Sequence, residues 1–158
     1  MEYKERFIEL MEKAFKDFQT VDHMIYVTFP LIKDKRLLFK ILDYLNNVIL
    51  NIINAILQYE YLYKRISLYR DAKTNFETFK KIGKWYTLSE QDIRELERII
   101  NLYKKHKQSP FEFAKNDKVV IMSDNMKTET LTIERLKEDL GLVKELLKKA
   151  EIRIRRRE

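Results

Sequence analysis

Arg36–Ile66 reads RLLFKILDYLNNVILNIINAILQYEYLYKRI, and the placement of its polar residues decides the fold. Arg36, Lys40, Asp43, Asn47, Asn51, Asn54 and Gln58 follow one another at steps of 4, 3, 4, 4, 3 and 4. On a helix with about 3.6 residues per turn these positions make one narrow stripe. Leu37, Leu38, Phe39, Ile41, Leu42, Leu45, Val48, Ile49, Ile52, Ile53, Ile56 and Leu57 cover the rest of the circumference. A helix apolar over that much of its surface must be covered on several sides. The stretch therefore predicts a long helix over residues 34–69. It is the hub of a bundle, or it also lies at a subunit interface.

The flanking sequence supplies the cover. Phe7, Met11, Ala14, Phe18, Val21 and Ile25 recur at steps of 4, 3, 4, 3 and 4, which predicts an amphipathic helix over residues 3–26. Pro30 biases Phe29 away from helix, so the helix is expected to stop or turn there. A short helix is predicted over Ala72–Ile82, broken by Gly83. Ser89 with Asp92 three residues on reads as a capping box opening the next helix, whose Ile93, Leu96, Ile100 and Tyr103 share a face. Val119–Met122 and Thr128–Leu131 are β-prone runs separated by Ser123–Met126, and they predict a hairpin that must pack on the bundle. Thr132 then caps a last helix carrying Ile133, Leu136, Leu140, Val143, Leu147, Ala150 and Ile154 as a heptad seam. The whole reads as a mainly α protein: an antiparallel helical bundle of about five helices around a long central helix, with a small β-hairpin before the last helix. The organisation is a single domain over residues 1–158 with a basic end at 153–158.

Composition agrees. Two glycines and two prolines in 158 residues are too few for a turn-rich β fold. Without cysteine, disulfides, thiolate metal sites and cysteine nucleophiles are excluded together. Two isolated histidines make no spaced ligand set, so no metal and no cofactor is expected. No run of 18 apolar residues is present and the first residues, MEYKERFIEL, lack a signal-peptide core. These features predict a cytoplasmic protein with no membrane span. The phosphate-binding, dinucleotide, nucleophile-elbow and zinc motifs are absent.

A formal charge of +7 is unevenly spread. Residues 64–84 hold seven basic and two acidic groups, residues 101–118 five and two, and the last 26 residues nine and six. Three candidate RNA-binding clusters result. In FKKIGKWY, Lys80, Lys81 and Lys84 could neutralise phosphates while Trp85 or Tyr86 stacks on a base; alternatively Trp85 and Phe79 pack inward and the lysines are a solvated face. In NLYKKHKQ, Lys104, Lys105 and Lys107 surround His106. At the C-terminus, Arg153, Arg155, Arg156 and Arg157 suit phosphate oxygens, or simply end a helix favourably. Asn47, Asn51 and Asn54 are poor helix formers that could set register in a homodimer, or could line a wet groove.

The order of helices, the long hub and a late basic segment with histidine resemble the HEPN group of helical-bundle proteins. ILNIINAILQYEYLYKRI and NLYKKHKQSPFEFAKNDK are similar to segments of small archaeal proteins. Many HEPN proteins are dimers, and many are metal-independent ribonucleases whose motif is an arginine, four to six residues, then histidine. The resemblance implies His106 as general acid–base, Asn101 in a phosphate-positioning role and Lys105 or Lys107 stabilising charge. Asparagine stands at 101 where the motif has arginine, and seven residues separate Arg98 from His106. The expectation is therefore a non-catalytic dimeric interaction or RNA-binding module. A divergent ribonuclease using His106 and a structural subunit of a larger complex are the alternatives.

Overall fold

The computed structural model describes residues 2–109, 111–115, 118–122 and 125–155. The hub is α3, Arg36–Leu62. Leu38, Ile41, Leu42, Leu45, Val48, Ile49, Ile52, Ala55 and Ile56 along it are completely buried. It packs against α1 (Glu2–His23), α4 (Ala72–Ile82), α5 (Glu90–Gln108) and α6 (Ile133–Arg155). One helix touched by four others is what an apolar surface with a single polar stripe requires. The stripe itself faces out: Asn47 and Asn54 are exposed and Asn51 is half-buried.

The hub stops earlier than its composition suggests, at Leu62 and not near Tyr69. Lys64 adopts a left-handed conformation, φ 59°. The Arg65 N–H donates to the Glu60 carbonyl and the Lys64 N–H to the Tyr61 carbonyl, 3.0 and 2.9 Å, which closes a Schellman cap. Lysine stands where glycine is usual, so composition gave no stop signal.

The first helix, in contrast, runs past Pro30. One π-helical turn, Met24–Thr28, leads into the four-residue α2, Phe29–Ile32, with Pro30 in its first turn. The Phe29 N–H reaches back five residues to the Met24 carbonyl. The widened turn accommodates a proline that has no N–H of its own to donate. Termination falls instead on Lys33, φ 55°.

Asp71 caps α4 by accepting from the Lys73 and Thr74 N–H groups. A 3-10 turn, Gly83–Tyr86, follows α4. A Cβ on Gly83 would stand 2.5 Å from Cδ1 at the tip of the Ile93 side chain, so this turn lies close against α5 and a larger residue here would displace that tip. The Ser89–Asp92 capping box is fully formed. Before the last helix lies an antiparallel sheet of three strands: β1 Phe111–Lys115, β2 Lys118–Met122 and β3 Thr128–Thr132 in the order β1-β2-β3. The hairpin read from the sequence is β2–β3, whose turn includes residues 123 and 124 outside the described set. Strand β1 is an addition, pairing Glu112 with Ile121 and Phe113 with Val120. Val119, Ile121 and Leu131 press the sheet onto the core. Thr132 Oγ1 accepts from the Arg135 N–H at 3.2 Å and opens α6, whose seam from Leu136 to Ile154 is buried. No described helix is long and apolar enough to cross a membrane.

Candidate nucleic-acid interface

Helix α5 separates the residues that its sequence strings together. At about 100° per residue, His106 lies about 140° around the helix from Asn101. Each side has its own partners.

On one side His106 is enclosed. Its Nδ1 is 2.5 Å from Glu112 Oε2 on β1, and its Nε2 is 3.4 Å from Asp43 Oδ1 on α3. Phe39 stacks on the ring at 4.6 Å with an interplanar angle of 6°. The side chain is only 12% exposed. Lys107 pairs with Asp43 at 3.5 Å and Lys105 with Glu129 on β3. Both ring nitrogens face carboxylates, so the ring joins α3, α5 and β1 and presents neither nitrogen to an incoming phosphate. Two carboxylates beside it would also repel that phosphate. They address opposite edges of the ring and do not converge on one point; among the described residues no group of three His, Asp or Glu could hold a metal ion.

On the other side a groove of about 390 Å³ opens between α3, α4 and α5. Asn46, Leu50, Phe76, Ile100 and Tyr103 line it together with Asn101, Lys73 and Lys104. Lys80 braces the groove by bonding Glu97 on α5 at 2.9 Å and Glu77 on α4 at 3.3 Å. Lys81, Lys84 and Lys104 are exposed and make no ion pair among the described residues. The candidate lysines of the first two clusters thus divide: Lys104, Lys81 and Lys84 reach solvent unpaired, whereas Lys80, Lys105 and Lys107 are committed to carboxylates.

Trp85 and Arg153 are turned inward. Trp85 packs half-buried against the core, with the Arg153 guanidinium 5.5 Å from its ring centre. Arg153 Nε donates to Glu60 Oε1 at 2.6 Å. Trp85 is not among the residues that line the groove, whereas Phe76 and Tyr103, each likewise with a cation over its ring, are. Arg156 and Arg157 lie outside the described residues, as does the Arg155 side chain.

Three buried polar groups are absent from the stripe that the sequence displays. Asn46 is 1% exposed, and its Oδ1 has no hydrogen-bond partner. Leaving such an acceptor unmatched costs about 1–3 kcal/mol. Glu60 is fully buried and accepts from Arg65 Nε at 2.5 Å and the Tyr86 hydroxyl at 3.0 Å as well as from Arg153. Burial would push the Glu60 carboxyl up, but the bonds from Arg153, Arg65 and Tyr86 together hold it below the usual carboxylate range. Each of these residues occupies an apolar register of its helix: Asn46 follows Leu42 by four, and Glu60 follows Ile56 by four. That register was the signal available in the sequence.

The third is Asp139, 3% exposed on α6. Arg98 pairs with its Oδ1, Arg135 Nε stands at 3.7 Å, and its Oδ2 has no partner. Burial outweighs the two guanidinium groups and pushes the Asp139 carboxyl up to about 6. The folded state then binds this proton more tightly than the unfolded chain, so the stability from this residue is full below the ordinary value of 3.8 and lost as pH rises through about 6. Relative to Asp139→Asn, the wild type should lose up to about 3 kcal/mol between pH 4 and 7. Denaturant unfolding of both proteins at the two pH values measures this. A constant difference would show that Asp139 stays ionised.

Comparison with known protein families, curated proteins and solved structures finds no match to this chain.

Proposed function

We propose that the protein is a non-catalytic helical-bundle module that binds single-stranded RNA along the α4–α5 groove. The observation that carries this reading is a groove with Lys73 and Lys104 exposed along it and aromatic lining from Phe76 and Tyr103, with the unpaired Lys81 in the last turn of α4 and Lys84 in the turn that follows. Lysines neutralise phosphates, and ring faces hold bases without demanding sequence. The likeness to HEPN bundles belongs to this proposal as architecture. Its catalytic histidine is the part that the enclosed His106 supports least.

Labelled mixed-sequence RNA in a fluorescence anisotropy titration tests the reading. Affinity should fall steeply with salt, and the slope of log K against log salt should become shallower by about 0.7 for each of Lys81, Lys84 and Lys104 changed to alanine. Absence of binding at low salt rejects the proposal. A homodimer through the exposed asparagine stripe is its second element, and a sedimentation profile of Asn51→Leu identical to wild type would count against it.

A further inference from the structure

The groove holds one group that phosphate neutralisation does not use. Asn46 lies on its α3 wall, almost fully buried, with an unpartnered Oδ1. Leu50 and Ile100 are among the apolar lining, and no donor reaches that oxygen. Phe76 and Tyr103 provide aromatic surface; the Lys80 and Lys107 ammonium groups stand over their rings at 5.4 and 5.5 Å. Lys73 and Lys104, both exposed, stand at the rim. Glu77 and Glu97 also line the groove, and both are engaged by Lys80. The volume of about 390 Å³ falls in the range that encloses small ligands.

We propose that this groove is a base-reading pocket in which Asn46 hydrogen-bonds the edge of an adenine from a bound ribonucleotide, with Lys73 and Lys104 on its phosphate. The proposal rests on the RNA-binding reading for the strand and adds what the strand is read by. A side-chain amide sets an acceptor and a donor in one plane, and adenine is its bidentate partner. Adenine offers a donor beside an acceptor on two edges, N6 with N1 and N6 with N7. Guanine, uracil and cytosine offer a donor beside an acceptor on the Watson–Crick edge only, and the Hoogsteen edge of guanine would set O6 against Oδ1. A purine also presents the larger face to an aromatic lining.

The test compares short oligoadenylate, oligouridylate and oligocytidylate by anisotropy on wild type and Asn46→Leu, with AMP, CMP and UMP titrated by NMR. Leucine removes an unmatched polar group from apolar surroundings at similar volume, so the variant should fold. Oligoadenylate should bind about ten-fold more tightly than the others. Asn46→Leu should abolish that preference and leave the salt slope unchanged. RNA bound with no base preference, or with a preference that survives in Asn46→Leu, overturns the pocket while the RNA-binding reading stands. Preference for AMP that depends on Asn46, without oligonucleotide binding, supports the pocket with a free nucleotide as its ligand and overturns the RNA-binding reading. No binding of either probe overturns both.

Discussion

Glu60→Ala is expected to lower the unfolding free energy by about 3–5 kcal/mol, because it strips a buried carboxylate from two guanidinium groups at once. Glu60 is completely buried at the end of α3. It receives Arg65 at 2.5 Å, Arg153 at 2.6 Å and the Tyr86 hydroxyl at 3.0 Å. Those donors come from the cap of α3, from α6 and from the 3-10 turn, so three segments share one acceptor. Alanine leaves the side chains of Arg65 and Arg153, 25% and 21% exposed, facing each other without compensation. The same carboxylate predicts acid sensitivity. Its folded pKa lies below the ordinary 4.5, so its contribution is present above that value and lost as pH falls through the depressed one. Guanidinium unfolding of wild type and variant at pH 7 checks the magnitude. A loss under about 0.5 kcal/mol, the scale of an ordinary surface substitution, would show that the cluster is ornamental.

Ile52→Ala should cost about 2–5 kcal/mol, whereas Leu50→Ala, two residues earlier, should cost well under half of that. Ile52 is fully buried in the hub, and removing three of its carbons leaves a cavity that neighbours on several helices cannot all close. Leu50 is 38% exposed on the groove wall, so truncation there mostly enlarges a space already open to water. Denaturant midpoints with unchanged slopes would measure both. Equal losses would mean that the groove is as tightly closed as the core.

Much of this architecture was legible because local rules and tertiary needs coincide. The seven-residue polar stripe from Arg36 to Gln58 marks the outer face of α3. Its wide apolar remainder demands the contacts that α1, α4, α5 and α6 make. Ser89 with Asp92, and Thr132 before α6, are short-range hydrogen-bonding signals that form as their chemistry prescribes. The end of α3 was not legible, since a left-handed Lys64 carries no compositional mark. Nor was the course of the chain at Pro30, where a π turn keeps the helix going. Strand β1 was also hidden: FEFAK is short, and its strand character comes from pairing with β2.

Within the candidate site the division runs along physical range. Sequence alone determined the helical class, the hub and the local excess of lysine, because periodicity and charge are properties of neighbouring residues. It also placed lysines around His106 and offered that cluster as one surface. Tertiary structure decided which of those charges remain free. Asp43, Glu112 and Glu129 arrive from α3, β1 and β3 to occupy His106, Lys107 and Lys105, while Lys104 faces the groove on the other side of the same helix. Partners that are 24 or 64 residues away in the chain have no local signature, yet at a few ångströms they outweigh any neighbour in sequence. The same holds for Asn46 and Glu60: the helical register marks both as buried, but only the packed bundle gives Glu60 its arginines and leaves Asn46 with an unfilled acceptor.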